Sequence, residues 1–558
     1  MVFDGEEVCM MRRRNLLIIL FAFLGVLTFI WGFPKRDTVG AAGGSKYEDL
    51  VSLFKEWREF QSPKITDGVP DYTAAAMKEQ RRRLEKFKSR LAAIDCSSWP
   101  ISQRVDYHLV RAEMNGLEFD HRVLRPWSRN PLFYWVVTNR LDMFQEGPDT
   151  YNLLFLPKLP LAEKDIPWFR MKLRAIPKIL EQAQGNLVEE AKDLWFLGIR
   201  QKKKENGILA DLLKQLAQFH PDLVPDAEQA KAAVDEFTTW LEKKQRMMTA
   251  PSGIGIENYN WYLKNVQMVP YTWQDELVIV ERELERALSS LKLEENRNRK
   301  LPKLEPVTNG EEYRRRFNEA ANYIIEYYKK EEIFSVPDYM HVGLDIGERP
   351  FIPSDKVRDF FVQIEYRDSL PMRCHGTHTL DDLRELNDKR SRPIRGLPPL
   401  LYNLWAFRGE GLACGNEEMM MHVGLFEKRS PRVRELIYIL MANRAARAIG
   451  SLKMHSNEFT VEGAVNYAVE WTPNNWLPKE GATIWSDVQI YLQQPVYGES
   501  YVVGKIQIDK LLADRAHQLG KKFNLRQFMD DFFAAGMIPI ALTRWEMTGL
   551  EDEIKKLW

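Results

Sequence analysis

Most of the side chains able to do chemistry in this sequence crowd into one stretch. It runs Tyr366-Arg367-Asp368-Ser369-Leu370-Pro371-Met372-Arg373-Cys374-His375-Gly376-Thr377-His378, then a Pro/Arg-rich connector, then Glu410-Gly411-Leu412-Ala413-Cys414-Gly415-Asn416-Glu417-Glu418. Two of the four cysteines and two of the nine histidines fall here, with His341, His422 and His455 close in sequence. His375 and His378 stand three apart, a spacing that puts two imidazoles on one helix face, and Glu410 could complete a three-ligand metal site with an open water position. Zinc or another divalent ion there would lower the pKa of a bound water and make a nucleophile near neutral pH. Gly376, between the histidines, works against a regular helix.

Other groups nearby have two readings each. Arg367, Arg373 and Arg408 could grip a substrate carboxylate or phosphate through forked hydrogen bonds, or join an internal network with Asp368, Asp381, Asp382, Glu417 and Glu418. Met419 to Met421 reads as core packing. Pro495 and Gly498 must interrupt a helix running from Trp485 to Leu512, which frees backbone groups and aims Tyr491, Tyr497 and Tyr501 into a cavity. A tyrosine placed there could bind substrate or stabilise a developing oxyanion. Cys374 could pair with Cys414 if the body is exported.

These groups need a scaffold, and the periodicity makes it mainly α. Of 558 residues, 45% are hydrophobic and 28% charged, with 79 basic against 79 acidic side chains, which gives no electrostatic reason to expect nucleic acid. Apolar residues recur at three- and four-residue steps over Met77–Ile94, Ile166–Leu197, Leu209–Phe219, Ala227–Met248, Thr272–Leu291, Glu311–Lys330 and Arg432–Met454, with a further helix starting at Thr460 and one over Phe523–Gly536. Ser98 reads as the cap of the helix that follows Pro100. That helix carries Asp106, Arg111, Glu113, Asn115 and Asp120 as a buried network or a solvated face. Ser252-Gly253-Ile254-Gly255 is a turn without the Lys-Ser/Thr ending of a phosphate loop. A two-residue alternation through Val336, Met340, Val342, Leu344 and Ile346 predicts a short edge β element within 333–353.

The N-terminus carries a targeting signal. Residues 1–15 end in Arg12-Arg13-Arg14, and 16–33 form an uncharged apolar run just long enough to cross a bilayer at about 18 residues. This predicts a single-pass signal anchor with a cytoplasmic N-terminus, a linker over 34–46 and the body on the far side. Cleavage near Val39-Gly40-Ala41-Ala42 would give a secreted form. The body then divides into a helical part over 47–332, a site-bearing part of the same fold over 333–549, and a tail over 550–558.

Several ordered motifs resemble a known family. Glu410-Gly411-Leu412-Ala413, Arg444-Ala445-Ala446-Arg447 with His455, Tyr491-Leu492-Gln493-Gln494-Pro495-Val496-Tyr497-Gly498-Glu499-Ser500-Tyr501, and Phe523 to Phe528 with Gly536-Met537-Ile538-Pro539 resemble the bacterial domain-of-unknown-function family eight-eight-five. The resemblance runs from about 47 to about 549. It implies a helical, zincin-like body with a central channel, akin to helical metallocarboxypeptidases. Family members carry His-Glu-x-x-Pro-Gly-His as zinc ligands and base, with the Glu of a later Glu-Gly-Trp-Ala as third ligand. Here Arg367 and Asp368 replace the His-Glu pair, Met372 and Arg373 replace Gly-His, and Ser451 stands where Asp is usual, whereas Glu410, His455 and Tyr501 match.

Three functions follow. The first is a peptidase-like hydrolase with a rebuilt site, in which His375, His378 and Glu410 hold a metal, His455 assists and Tyr501 stabilises an oxyanion. The second is a metal-free enzyme that grips an anionic small molecule through arginines and moves protons through histidine. The third is an inactive relative that binds peptides or small molecules.

Overall fold

A computed structural model describes residues 45–139, 151–342, 350–396 and 398–558. The apolar run 16–33 lies outside the described residues, as does nearly all of the linker. Among the described residues the chain is mainly helical, and no helix is long and apolar enough to cross a membrane.

The N-terminal helices follow the amphipathic pattern. α1 (Tyr47–Gln61) buries Leu50, Leu53, Phe54 and Trp57, one face at helical spacing. It lies with α2 (Ala74–Ala92) against α3 (Ile101–Phe119), where buried Glu113 accepts from Trp57 Nε1 at 2.9 Å and Arg58 Nη1 at 2.6 Å. α3 starts at Ile101 without a side-chain cap, so Ser98 does not serve as one. Two short ladders flank this region: β1 (Ile65–Thr66) antiparallel to β2 (Val69–Pro70), and β3 (Val137–Thr138) parallel to β4 (Leu154–Phe155).

α4 (Ile166–Asn186), α5 (Lys192–Phe219) and α6 (Val224–Gln245) pack together. The break at 187–191 ends the long helix expected to reach Leu197, and α5 runs on unbroken across the gap expected before Leu209. After α7 (Ile256–Tyr262), Thr272 and Asp275 form a capping box that starts α8 (Trp273–Arg297). α9 (Gly310–Lys330) follows. The expected β element is not a strand where it is described: Asp338–Val342 is a 3-10 turn, and residues 343–349 lie outside the described set. Met340 is buried beside that turn.

The C-terminal half supplies the centre. Its elements are α10 (Phe360–Glu365), α11 (Leu370–His375), α12 (Thr377–Asn387), α13 (Ala406–His422), α14 (Val433–His455), α15 (Val461–Trp471), α16 (Ala482–Gln493), α17 (Tyr497–Leu519), α18 (Leu525–Ala535) and α19 (Ile540–Thr548). α14 is buried on nearly every side, wrapped by α8, α15, α16 and α17. α13 crosses α17 at Gly411 and Gly504, where a Cβ on Gly504 would stand 2.0 Å from the Phe407 carbonyl oxygen. Only glycine permits that approach, and it draws Glu410 up to the tyrosines of α17. One connected apolar core runs from Leu50 to Leu557.

Candidate functional site

His375 and His378 converge because the helix breaks between them. α11 ends at His375, Gly376 leaves the helix, and α12 restarts at Thr377, so the imidazoles do not share one regular face. Asn416 of α13 pins the break by donating to the Cys374 carbonyl at 3.0 Å and to Thr377 Oγ1 at 2.6 Å. The result sets one ligand atom each of His375, His378 and Glu410 within 4.8 Å of one another. The two rings meet edge to face at 5.1 Å, and His375 Nε2 stands 3.9 Å from Glu410 Oε2. The His375 side chain keeps 17% exposure, so solvent reaches the cluster.

Behind this group α14 supplies cations. Arg444 forks onto Glu417 at 2.5 and 2.7 Å, and His375 Nδ1 sits 3.1 Å from both Glu417 Oε1 and Arg444 Nη2. A proton on Nδ1 would be donated to Glu417 and would leave the Nε2 lone pair of His375 on the side of Glu410. Burial and the Arg444 charge hold the His375 pKa below the usual imidazole value, against the pull of Glu417. Burial opposes the charge on Glu417, but Arg444 and His375 outweigh it and keep that carboxyl below its usual range. One turn further on, Arg447 meets Asp487 at 2.5 Å and lies over the Tyr501 ring. Tyr497 donates to Glu410 Oε1 at 2.7 Å, and Tyr501 reaches Tyr497. Burial, then the Glu410 charge, drives both phenols well above their normal pKa.

Val496, in the left-handed region at φ 69°, makes the sharp break before α17 that Pro495 announced. That break brings Tyr497 onto Glu410, so Tyr497 orients a candidate ligand rather than only lining a pocket. Four other assignments, at Arg408, Arg373, Tyr491 and His455, need correction. Arg408 is fully buried on Asp381, beside Phe532 and Met537. Arg373 donates to Glu365 at 2.7 Å and stacks on Phe317. Neither guanidinium is available to a substrate, because each already neutralises an internal carboxylate. Arg367, bonded to Gln363 and stacked on Trp476 at 4.0 Å, remains half-buried. Tyr491 is buried, as is His455, whose Nε2 pairs with the Tyr491 carbonyl at 2.9 Å. Burial lowers the His455 pKa to about 4, and the ring is a packed structural element. Cys374 and Cys414 are free, buried thiols. Met420 and Met421 pack in the core as expected.

A second polar cluster escaped the sequence reading. Glu276 of α8 and Glu499 of α17 are both fully buried; Tyr259 donates to Glu276 at 2.8 Å, and Ser451 and Tyr259 face Glu499. No cation pairs with either acid among the described residues. Burial raises the Glu499 pKa to about 7, and burial with the neighbouring Glu499 raises Glu276 well above its usual value. The pair lies near His455, which packs on Tyr259 with ring centroids 5.8 Å apart. The available signal was Glu499 itself, an acid inside the tyrosine-rich motif; for the first cluster it was Arg444 and Arg447 in an alanine-rich, otherwise apolar helix, which demand carboxylate partners.

Fold and site together define an all-helical body with a buried, charge-compensated polar centre open to solvent at its histidines. Residues 396–547 match the family described as "Bacterial protein of unknown function (DUF885)", which bears out the resemblance seen in the sequence over this part of the chain. The fold is that of a proposed lipoprotein of unknown function from Shewanella oneidensis, at 16% identity and TM-score 0.65, over 90% of this chain and 97% of that one. A proposed lipoprotein from Colwellia psychrerythraea is similar at 15% identity and TM-score 0.64, with the same coverage. No curated protein matches this chain.

Proposed function

We propose that this protein is a membrane-tethered, peptidase-like hydrolase of zincin-like fold with a rebuilt metal site at His375, His378 and Glu410. The observation that carries the reading is their convergence within 4.8 Å, with His375 backed by Glu417. Two imidazoles and a carboxylate are a donor set suited to zinc, and a carboxylate behind a ligand histidine is the usual second partner. A metal held there would polarise a substrate carbonyl. The chain's own groups do the rest: Glu417 fixes the His375 ring, Tyr497 fixes Glu410, and Tyr501 stands where a phenol could donate to a developing oxyanion. The alternative in which arginines grip an anion here loses support, since Arg373, Arg408, Arg444 and Arg447 each hold a carboxylate. The apolar run 16–33 and the lipoprotein description of both structural relatives support tethering to a membrane.

Elemental analysis and zinc titration of the purified protein test this reading. One divalent ion per chain is expected, with binding lost in His378→Ala and Glu410→Gln while both variants stay folded. Wild-type protein that takes up no metal saturably would overturn it.

A further inference from the structure

We propose that a hollow bounded by Arg122, Arg125 and Arg129 is a binding site for a small dianionic ligand of phosphate type, separate from the His/Glu cluster. The hollow has a volume of about 260 Å³ and is lined by these arginines with Val123, Gly253, Ile254 and Asn258. No carboxylate is part of the lining. Glu189 pairs with Arg125 at 2.6 Å, but no acid lies within ion-pair distance of Arg122 or Arg129 among the described residues. Three guanidinium groups thus share one nearby acid, Glu189, around a small polar space, and the excess of positive charge matches an anion.

The site is also built in advance. Arg129, itself buried, donates through Nη2 to the carbonyls of Pro251 and Ser252 at 3.0 Å each, and Nε and Nη1 meet no protein acceptor among the described residues. Burial and the neighbouring Arg125 lower its pKa, and the nearby Glu189 only partly offsets them. Arg122 is held by Asn258 at 3.0 Å and by stacking on Trp261 at 4.6 Å. Arg125 sits in the left-handed region at φ 41°, so the turn can direct arginines at 122, 125 and 129 to one hollow. The opposite wall is fixed because Gly253 lies against the end of α14, where a Cβ would stand 2.2 Å from the Met454 carbonyl oxygen, and Gly255 donates to His455 at 2.8 Å. This turn lacks the sequence of a phosphate loop; the arginines, not its amides, supply the donors. The volume falls below the roughly 300 Å³ at which sites for drug-sized ligands begin, and it has room for a phosphate group.

Calorimetric titration of the full-length protein with inorganic phosphate at low salt tests the proposal. Saturable binding of one phosphate per chain is expected, weakened at least about tenfold in Arg122→Gln, which leaves the backbone anchors of Arg129 in place. Arg129→Lys keeps the charge but loses the fork, and should weaken binding as well. Glycerol phosphate in a parallel titration separates free phosphate from an esterified headgroup: tighter binding of the ester identifies the latter source, and tighter binding of the ion the former. Absence of saturable binding by both probes, or equal binding by wild type and both variants, would sink the site. Zinc uptake by Arg122→Gln should equal that of wild type, so this result stands or falls independently of the metal reading.

Discussion

Two polar clusters meet at Tyr491, and they solve the problem of interior charge in opposite ways. Arg444, Arg447, Ser451 and His455 follow one another along a single stripe of α14 at steps of three and four. At the arginine end, Glu417 and Asp487 each hold a guanidinium, and this charged floor supports His375 and its neighbour Glu410. At the other end the stripe offers only a hydroxyl and a neutral imidazole; Ser451 faces Glu499, Glu276 lies beside Glu499, and among the described residues no cation pairs with either acid. Burial then favours the protonated form of those acids. The identity of one side chain per turn of one helix thus decides whether an interior acid is a charged support or a proton-bearing spacer.

That contrast can be broken most forcefully at its charged end. Glu417→Gln strands Arg444 in the interior, and a loss of about 3–5 kcal/mol is expected from urea unfolding; an unchanged midpoint would mean the fork contributes nothing. Gly504→Ala forces α17 off α13 and should cost up to about 3 kcal/mol while pulling Tyr497 away from Glu410. Thermal unfolding checks the first effect and zinc titration the second.

The uncharged end predicts a pH signature with the reverse sign of an ordinary ion pair. Glu499 binds its proton more tightly folded (pKa about 7) than unfolded (4.5). Well below pH 4.5 both states are protonated and no penalty is present; from pH 4.5 to about 7 the unfolded state ionises while the folded state keeps its proton, so stability falls across that window and levels off above it. Glu499→Gln should flatten that slope and stabilise the protein at pH 8 by an amount on the order of 2 kcal/mol. A wild-type melting temperature that rises over this range would contradict the pairing. The smallest effect belongs to Tyr497→Phe, which removes one hydrogen bond to Glu410: zinc affinity should drop about tenfold with little change in unfolding midpoint.

Much of the architecture was legible as local pattern. The apolar faces of α1, α8 and α9, the start at Thr460, where Thr460 accepts from Gly463 N at 3.1 Å, and the break at Pro495 all follow from side chains within a turn of one another. The approach of Glu410 to the two histidines was also anticipated, although the route was different: a helix break at Gly376, not a shared face. The arginines were harder to read. Arg373 and Arg408 look the same in sequence whether they wait for a substrate or close on Glu365 and Asp381, because the acid that decides lies on another segment.

The sequence by itself therefore determined most of the helices, the break at Pro495 and the stock of reactive groups, since these depend on contacts between near neighbours along the chain. Which of those groups are spent on internal pairs was decided only by tertiary structure. So was the lack of a paired cation at Glu276 and Glu499 among the described residues, and the meeting of arginines 122, 125 and 129 with the turn at 252–255. Charge compensation in a low-dielectric interior depends on distance in space, and folding alone brings α8, α13, α14 and α17 to that distance.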